Sequence, residues 1–131
     1  MRILLIYPPT SALRGESVGA VPPLGLAYLA SVVEKQGHTV KILDALLEGY
    51  DQRTLEKGGH SETVGLSWRE IERRLSNFQP DIVGVTSMFW YMNQSLHKVA
   101  ELAKNYDKNV PVVVGGAHPS LFARNILADI N

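Results

Sequence analysis

Short runs of β-branched and leucine-rich residues alternate with longer stretches whose apolar residues recur every three or four positions, so the chain predicts strands and helices in turn. Residues 3–7 form the first apolar run, and Pro8-Pro9 must end it because neither proline donates a ladder hydrogen bond. A loop is expected from Pro8 through Thr10 to Val21, with Ser11, Gly15 and Gly19 in it. Pro22-Pro23 then opens a helix over residues 24–35 that Gly37 stops. Apolar residues occupy most sides of this helix, which predicts deep burial against a sheet. Residues 39–43 make the second strand, ending at Asp44, and residues 45–65 show mixed charge, Gly58-Gly59 and no clear period. That segment is expected to be an irregular excursion.

Ser67 and Glu70 have capping-box spacing, and Trp68, Ile71, Leu75 and Phe78 recur at helical intervals, predicting a surface helix with one buried stripe. Pro80-Asp81 ends it, residues 82–86 form the third strand, and residues 87–92 form a loop. Asn93 is placed to cap the next helix, whose inner face is Leu96, Val99, Ala100 and Ala103. The fourth strand, Val112-Val113-Val114, reads as buried on both faces of a parallel sheet, and it ends in Gly115-Gly116-Ala117-His118-Pro119-Ser120. The glycine pair leaves bare backbone against which a bulky planar molecule can lie. A last helix is expected from Pro119 or Ser120 to about Ile130.

Four strand–helix alternations predict a doubly wound parallel α/β sheet, Rossmann-like with the flavodoxin-like order 2-1-3-4. A fifth strand would follow the last helix, so residues 1–131 read as one domain of a longer protein. In this topology the C-terminal ends of the first, third and fourth strands share one rim. It gathers Tyr7, Pro8, Pro9 and Thr10, then Thr86, Ser87, Met88 and Phe89, then Gly115, Gly116, Ala117 and His118. Hydroxyls, backbone amides, apolar surface and one imidazole suit holding a large, partly apolar cofactor better than activating a small polar substrate.

Composition narrows the classes. Thirteen basic residues balance thirteen acidic ones, so no overall field favours nucleic acid or an anionic membrane. The apolar run near Met1 is too short for an export signal or a membrane span. With no cysteine there is no disulfide or cysteine-held cluster, which is compatible with the cytoplasm. His38 falls at the opposite end of the sheet from the rim, His60 in the irregular segment and His97 on the exposed side of a helix. No histidine pair has metal-site spacing, and no nucleophile, base and orienter assemble into a triad. Gly-x-Gly-x-x-Gly after the first strand, a phosphate loop ending in Gly-Lys-Ser/Thr and the acidic residues of a phosphoacceptor receiver are all missing.

The ordered segments Leu4-Leu5-Ile6-Tyr7-Pro8-Pro9, Pro22-Pro23-Leu24-Gly25-Leu26-Ala27-Tyr28-Leu29-Ala30, Gly37-His38-Thr39-Val40, Pro80-Asp81-Ile82-Val83-Gly84-Val85-Thr86-Ser87 and Val113-Val114-Gly115-Gly116-Ala117-His118-Pro119-Ser120 resemble the N-terminal cobalamin-binding domain of cobalamin-dependent radical S-adenosylmethionine enzymes. That group includes the magnesium-protoporphyrin monomethyl ester oxidative cyclases. The resemblance covers nearly the whole chain and is weakest over residues 45–65. It implies that the corrin and its nucleotide tail lie against the rim, with Thr86-Ser87-Met88 and Gly115-Gly116 lining the tail's channel. Cobalamin domains of the methionine synthase kind carry Asp-x-His-x-x-Gly after the first strand. This chain has Pro9-Thr10-Ser11-Ala12-Leu13-Arg14-Gly15 there, so the implied cobalamin is base-off, without a histidine ligand from this domain.

Cys-x-x-x-Cys-x-x-Cys is absent too, so a 4Fe-4S cluster and S-adenosylmethionine are expected in a downstream domain of the same polypeptide, which would carry out methyl transfer or radical rearrangement or cyclisation. Two other readings remain open: a structural or docking domain that no longer binds cobalamin, and a flavodoxin-like nucleotide-binding domain, which the proline-rich first loop disfavours. The parent's substrate and the oligomeric state are not encoded in these patterns.

Overall fold

The computed structural model describes residues 1–128. In chain order the elements are β1 (Arg2–Tyr7), β2 (Thr10–Leu13), α1 (Leu24–Lys35), β3 (Thr39–Asp44), α2 (Ala45–Glu48), β4 (Arg53–Leu55), β5 (Ser61–Val64), α3 (Trp68–Phe78), β6 (Ile82–Thr86), a single 3-10 turn (Trp90–Met92), α4 (Asn93–Tyr106), β7 (Val112–Gly115) and α5 (Ala117–Ala128). β3, β1, β6 and β7 lie side by side in that order, all parallel, in register from Ile3 opposite Val40 and Ile82 to Thr86 opposite Gly115. This is the expected doubly wound α/β sheet, with the four strands ordered 2-1-3-4.

Two-residue alternation sends β1 into two different cores. Leu4 and Ile6 join Val83 and Val85 against Ile71 and Leu75 of α3 and Leu96, Val99 and Ala103 of α4. Ile3 and Leu5 face the other way, onto Leu26 and Ala30 of α1, with Val33, Val40, Ile42 and Ile82 around them. Each fully buried leucine or isoleucine contributes roughly 1.5–3 kcal/mol. The first core is the larger, so α3 and α4 hold the sheet more firmly than α1 does. No helix among the described residues is long and apolar enough to cross a membrane.

Several expectations need correction. The segment after Pro9 is not all loop: Thr10–Leu13 pairs antiparallel with Ser61–Val64, which pairs in turn with Arg53–Leu55, giving a second, three-stranded sheet. The irregular stretch is therefore largely a hairpin, turning at Gly58-Gly59, both at positive φ. α1 buries only Leu26 and Ala30, while Leu24, Tyr28, Leu29 and Val32 are exposed because nothing described here packs on that side. β7 is an edge strand, and Val113 is 58% exposed instead of buried on both faces.

Asn93 does not cap α4. The 3-10 turn runs straight into the helix, so Asn93 is already helical, and its Oδ1 is buried without a partner among the described residues. His97, expected to be exposed, is half-buried over a groove between α4 and β7, with Nε2 likewise unpartnered. α5 starts at Ala117, two residues before Pro119, because Gly116 at φ 106° makes the turn and a helix's first residues need no amide partner. Its backbone breaks from helical geometry at Phe122, and its expected end at Ile130 lies outside the described residues. Ser67 does cap α3, accepting from the Glu70 N–H at 3.3 Å, but the Glu70 carboxylate turns to Arg73 and Arg74, which lower its pKa to about 2.

Candidate functional site

The rim residues fall into two groups joined by a buried link. After β1, Pro8 and Pro9 are buried and turn the chain into β2, so Thr10, 6% exposed, becomes a strand residue opposite Val64. Gly65 at φ 130° permits this close return: a Cβ there would come within 2.9 Å of the Pro9 side chain. Tyr7 is half-buried. Its phenol pKa is raised, first by burial and then by the neighbouring Tyr91 and Asp44, so at neutral pH it remains a neutral hydrogen-bond donor.

At the end of β6, Thr86 is half-buried, and Ser87 just beyond it is completely buried. Ser87 ties three segments together: its N–H donates to Gly115 O at 2.9 Å, its carbonyl accepts from His118 N–H at 3.3 Å, and its hydroxyl donates to Phe89 O at 3.2 Å. Gly116 lies so close that a Cβ would sit 2.4 Å from the Ser87 oxygen. Gly115, by contrast, has nothing within 4 Å of its would-be Cβ, leaving bare backbone open to a ligand. Ala117 begins α5, and the His118 ring packs at 5.1 Å from Phe122.

Tyr7, Thr10 and Phe89 line a cavity of about 990 Å3 between the rim of β1, the β2-β5-β4 sheet and the 3-10 turn. Gly115, Gly116, Ala117 and His118 do not line it; they adjoin its aromatic side through Ser87. Met88 is 47% exposed and also stands outside the lining. The rim residues are thus divided, at one end of the sheet, between a cavity lined by Tyr7, Thr10 and Phe89 and a separate glycine edge.

Sequence reasoning missed much of the cavity wall. Trp90 and Tyr91 line it, with Ser11, Ser61 and Glu56 opposite. Glu56 accepts from the hydroxyls of Ser61 (2.7 Å), Ser11 (2.8 Å) and Thr63 (2.9 Å), which together hold its carboxyl below the usual range, Ser61 most strongly. The available signal was Met88-Phe89-Trp90-Tyr91-Met92, a stretch too apolar for an ordinary solvent loop. Among the described residues no three His, Cys, Asp or Glu side chains are grouped to hold a metal ion, and no histidine lines the cavity.

A family model described as the B12 binding domain matches residues 10–131. The chain is 34% identical over 131 residues to cytidylyl-2-hydroxyethylphosphonate methyltransferase of Streptomyces wedmorensis, covering 99% of this chain and 24% of that protein. It is 41% identical over 119 residues to an uncharacterized methyltransferase of Pyrococcus horikoshii, covering 90% and 22%. It is 26% identical over 130 residues to the anaerobic magnesium-protoporphyrin IX monomethyl ester cyclase of Rubrivivax gelatinosus, covering 98% and 20%. The chain therefore spans between a fifth and a quarter of the length of these relatives.

Proposed function

Because the chain belongs to the B12-binding domain family, we propose that residues 1–131 are the cobalamin-binding module of a longer cytoplasmic radical S-adenosylmethionine enzyme. The observation that carries the reading is the open backbone at Gly115 beside a cavity of about 990 Å3, at the large end for small-molecule sites (roughly 300–1,000 Å3). Those features fit a large, partly apolar cofactor. Gly115 would take the nucleotide tail, with Thr86 and Ala117 beside it and His118 at its rim. Tyr7, Thr10 and Phe89 would take the body of the cofactor, while Pro8, Pro9, Ser87 and Gly116 would hold the two parts in place. Met88 would meet the cofactor from the outer side of the rim.

Bound cobalamin supplies a carrier for a methyl group or a partner in radical rearrangement or cyclisation. This chain's residues bind and orient it. With the nucleotide tail drawn to the Gly115 edge the cofactor would be base-off, and with no histidine in the cavity lining it would receive no imidazole from this domain. A downstream domain of the same polypeptide would hold the 4Fe-4S cluster and S-adenosylmethionine. The two methyltransferases and the cyclase among the relatives, each four to five times longer than the match, support a further domain in the same polypeptide.

The test is to mix the purified chain with hydroxocobalamin, remove free cofactor by gel filtration and record the visible spectrum. Retention with a shifted, base-off spectrum is expected. Failure of both this chain and the longer polypeptide to retain the cofactor sinks the reading and leaves the structural or docking role.

A further inference from the structure

The cavity has one wall that the α/β core does not require. Phe89, Trp90 and Tyr91 are 51%, 76% and 42% exposed, a costly display of aromatic surface for so small a domain. They are nonetheless held firmly. Ser87 anchors one end of the segment and Met92, 1% exposed, anchors the other, with Met92 N–H donating to Phe89 O at 3.1 Å across the turn. Phe89 and Tyr91 stack at 5.3 Å with planes 11° apart, and Trp90 meets Tyr91 at 80°. The indole faces are therefore largely uncovered. Across the cavity stand Ser11, Ser61 and an ionised Glu56 fixed by three hydroxyl donors, a wall rich in acceptors.

We infer that the indole face of Trp90, propped edge-to-face by Tyr91 with Phe89 stacked behind it, forms a platform for the conjugated ring face of the cofactor, distinct from the tail-binding edge at Gly115, and that Glu56 and its hydroxyls receive the amide groups at the ring's margin. The inference rests on the cobalamin reading and assigns its ring to one wall. A corrin is a broad conjugated macrocycle edged with primary carboxamides. Aromatic faces recognise the first feature and a carboxylate with neighbouring hydroxyls the second. Charge agrees with shape, because the amides are neutral donors and Glu56 has an oxygen lone pair to spare after its three bonds.

The experiment uses the full-length polypeptide with two probes, hydroxocobalamin and aquahydroxocobinamide, the same cobalt corrin without its nucleotide tail. Trp90→Ala is expected to weaken binding of both probes roughly tenfold, the loss of one aromatic stacking partner. Trp90→Phe should restore most of it. Gly115→Val should weaken hydroxocobalamin and spare the cobinamide. Circular dichroism and melting should not change in the Trp90 variants, since that side chain supports no core. Unaltered affinity of Trp90→Ala for both probes overturns the platform while leaving the cobalamin reading intact. Loss confined to hydroxocobalamin also overturns it, because the aromatics would then serve the tail. Absence of binding by the wild-type protein overturns the cobalamin reading and the platform with it.

Discussion

Two adjacent glycines at the end of β7 have opposite requirements. Gly116 sits at φ 106°, with a would-be Cβ 2.4 Å from a backbone oxygen that cannot move aside. Gly116→Ala is therefore expected to cost at least about 2 kcal/mol from strain and collision together. Gly115 lies at the end of a strand with open space before it, so Gly115→Val should leave the urea midpoint nearly unchanged and weaken cobalamin retention. A measured unfolding curve that shifts equally for both variants would contradict this division. The sequence marks both glycines as a site but cannot separate them, because the distinction depends on Ser87, nearly thirty positions earlier in the chain.

At the level of elements, the parallel strands were legible because each is a short run rich in Ile, Leu or Val, three of them ending at proline, aspartate or glycine and β6 at Thr86-Ser87. The three-stranded sheet was not. Its strands have three or four residues, several of them Ser, Thr or Glu, and Thr10 finds its partner at Val64, far beyond any local pattern. Glu56 bonds to hydroxyls on both β2 and β5, so it joins elements that propensity does not. Glu56→Gln is expected to loosen the hairpin without melting the core, seen as faster tryptic cleavage at Lys57 with an unchanged thermal transition. In the wild-type chain, the pKa of Glu56 is lowered from 4.5 by the fold. Its contribution is thus fully present at neutral pH and fades as pH falls through the depressed value. Cleavage no faster than wild type would show that β4 and β5 are held by backbone pairing alone.

For the whole molecule, the pattern was correct about architecture and wrong about enclosure. α1 is apolar nearly all round, which in isolation reads as deep burial, yet Leu24, Tyr28, Leu29 and Val32 face outward and β7 leaves Val113 half uncovered. Periodicity reports how much surface a helix wants covered and is silent on whether the cover lies within these residues. The aromatic segment after β6 is hard to read for a related reason: exposed aromatic residues have the same composition as core residues, and only the structure shows that Phe89, Trp90 and Tyr91 face outward.

Ser87 has a consequence for communication across the rim. Its amide, carbonyl and hydroxyl connect to the turn after β7, to the start of α5 and to the aromatic segment, so opening any one of them disturbs the others. Protection of the Ser87 and His118 amides against deuterium exchange therefore becomes a gauge of both halves of the site at once. Cobinamide, which on this assignment touches only the aromatic half, should slow exchange at His118 as well as at Ser87. A ring held on one side of the rim would in this way stiffen the tail's edge before any tail arrives, making the two halves favour each other's occupancy without moving.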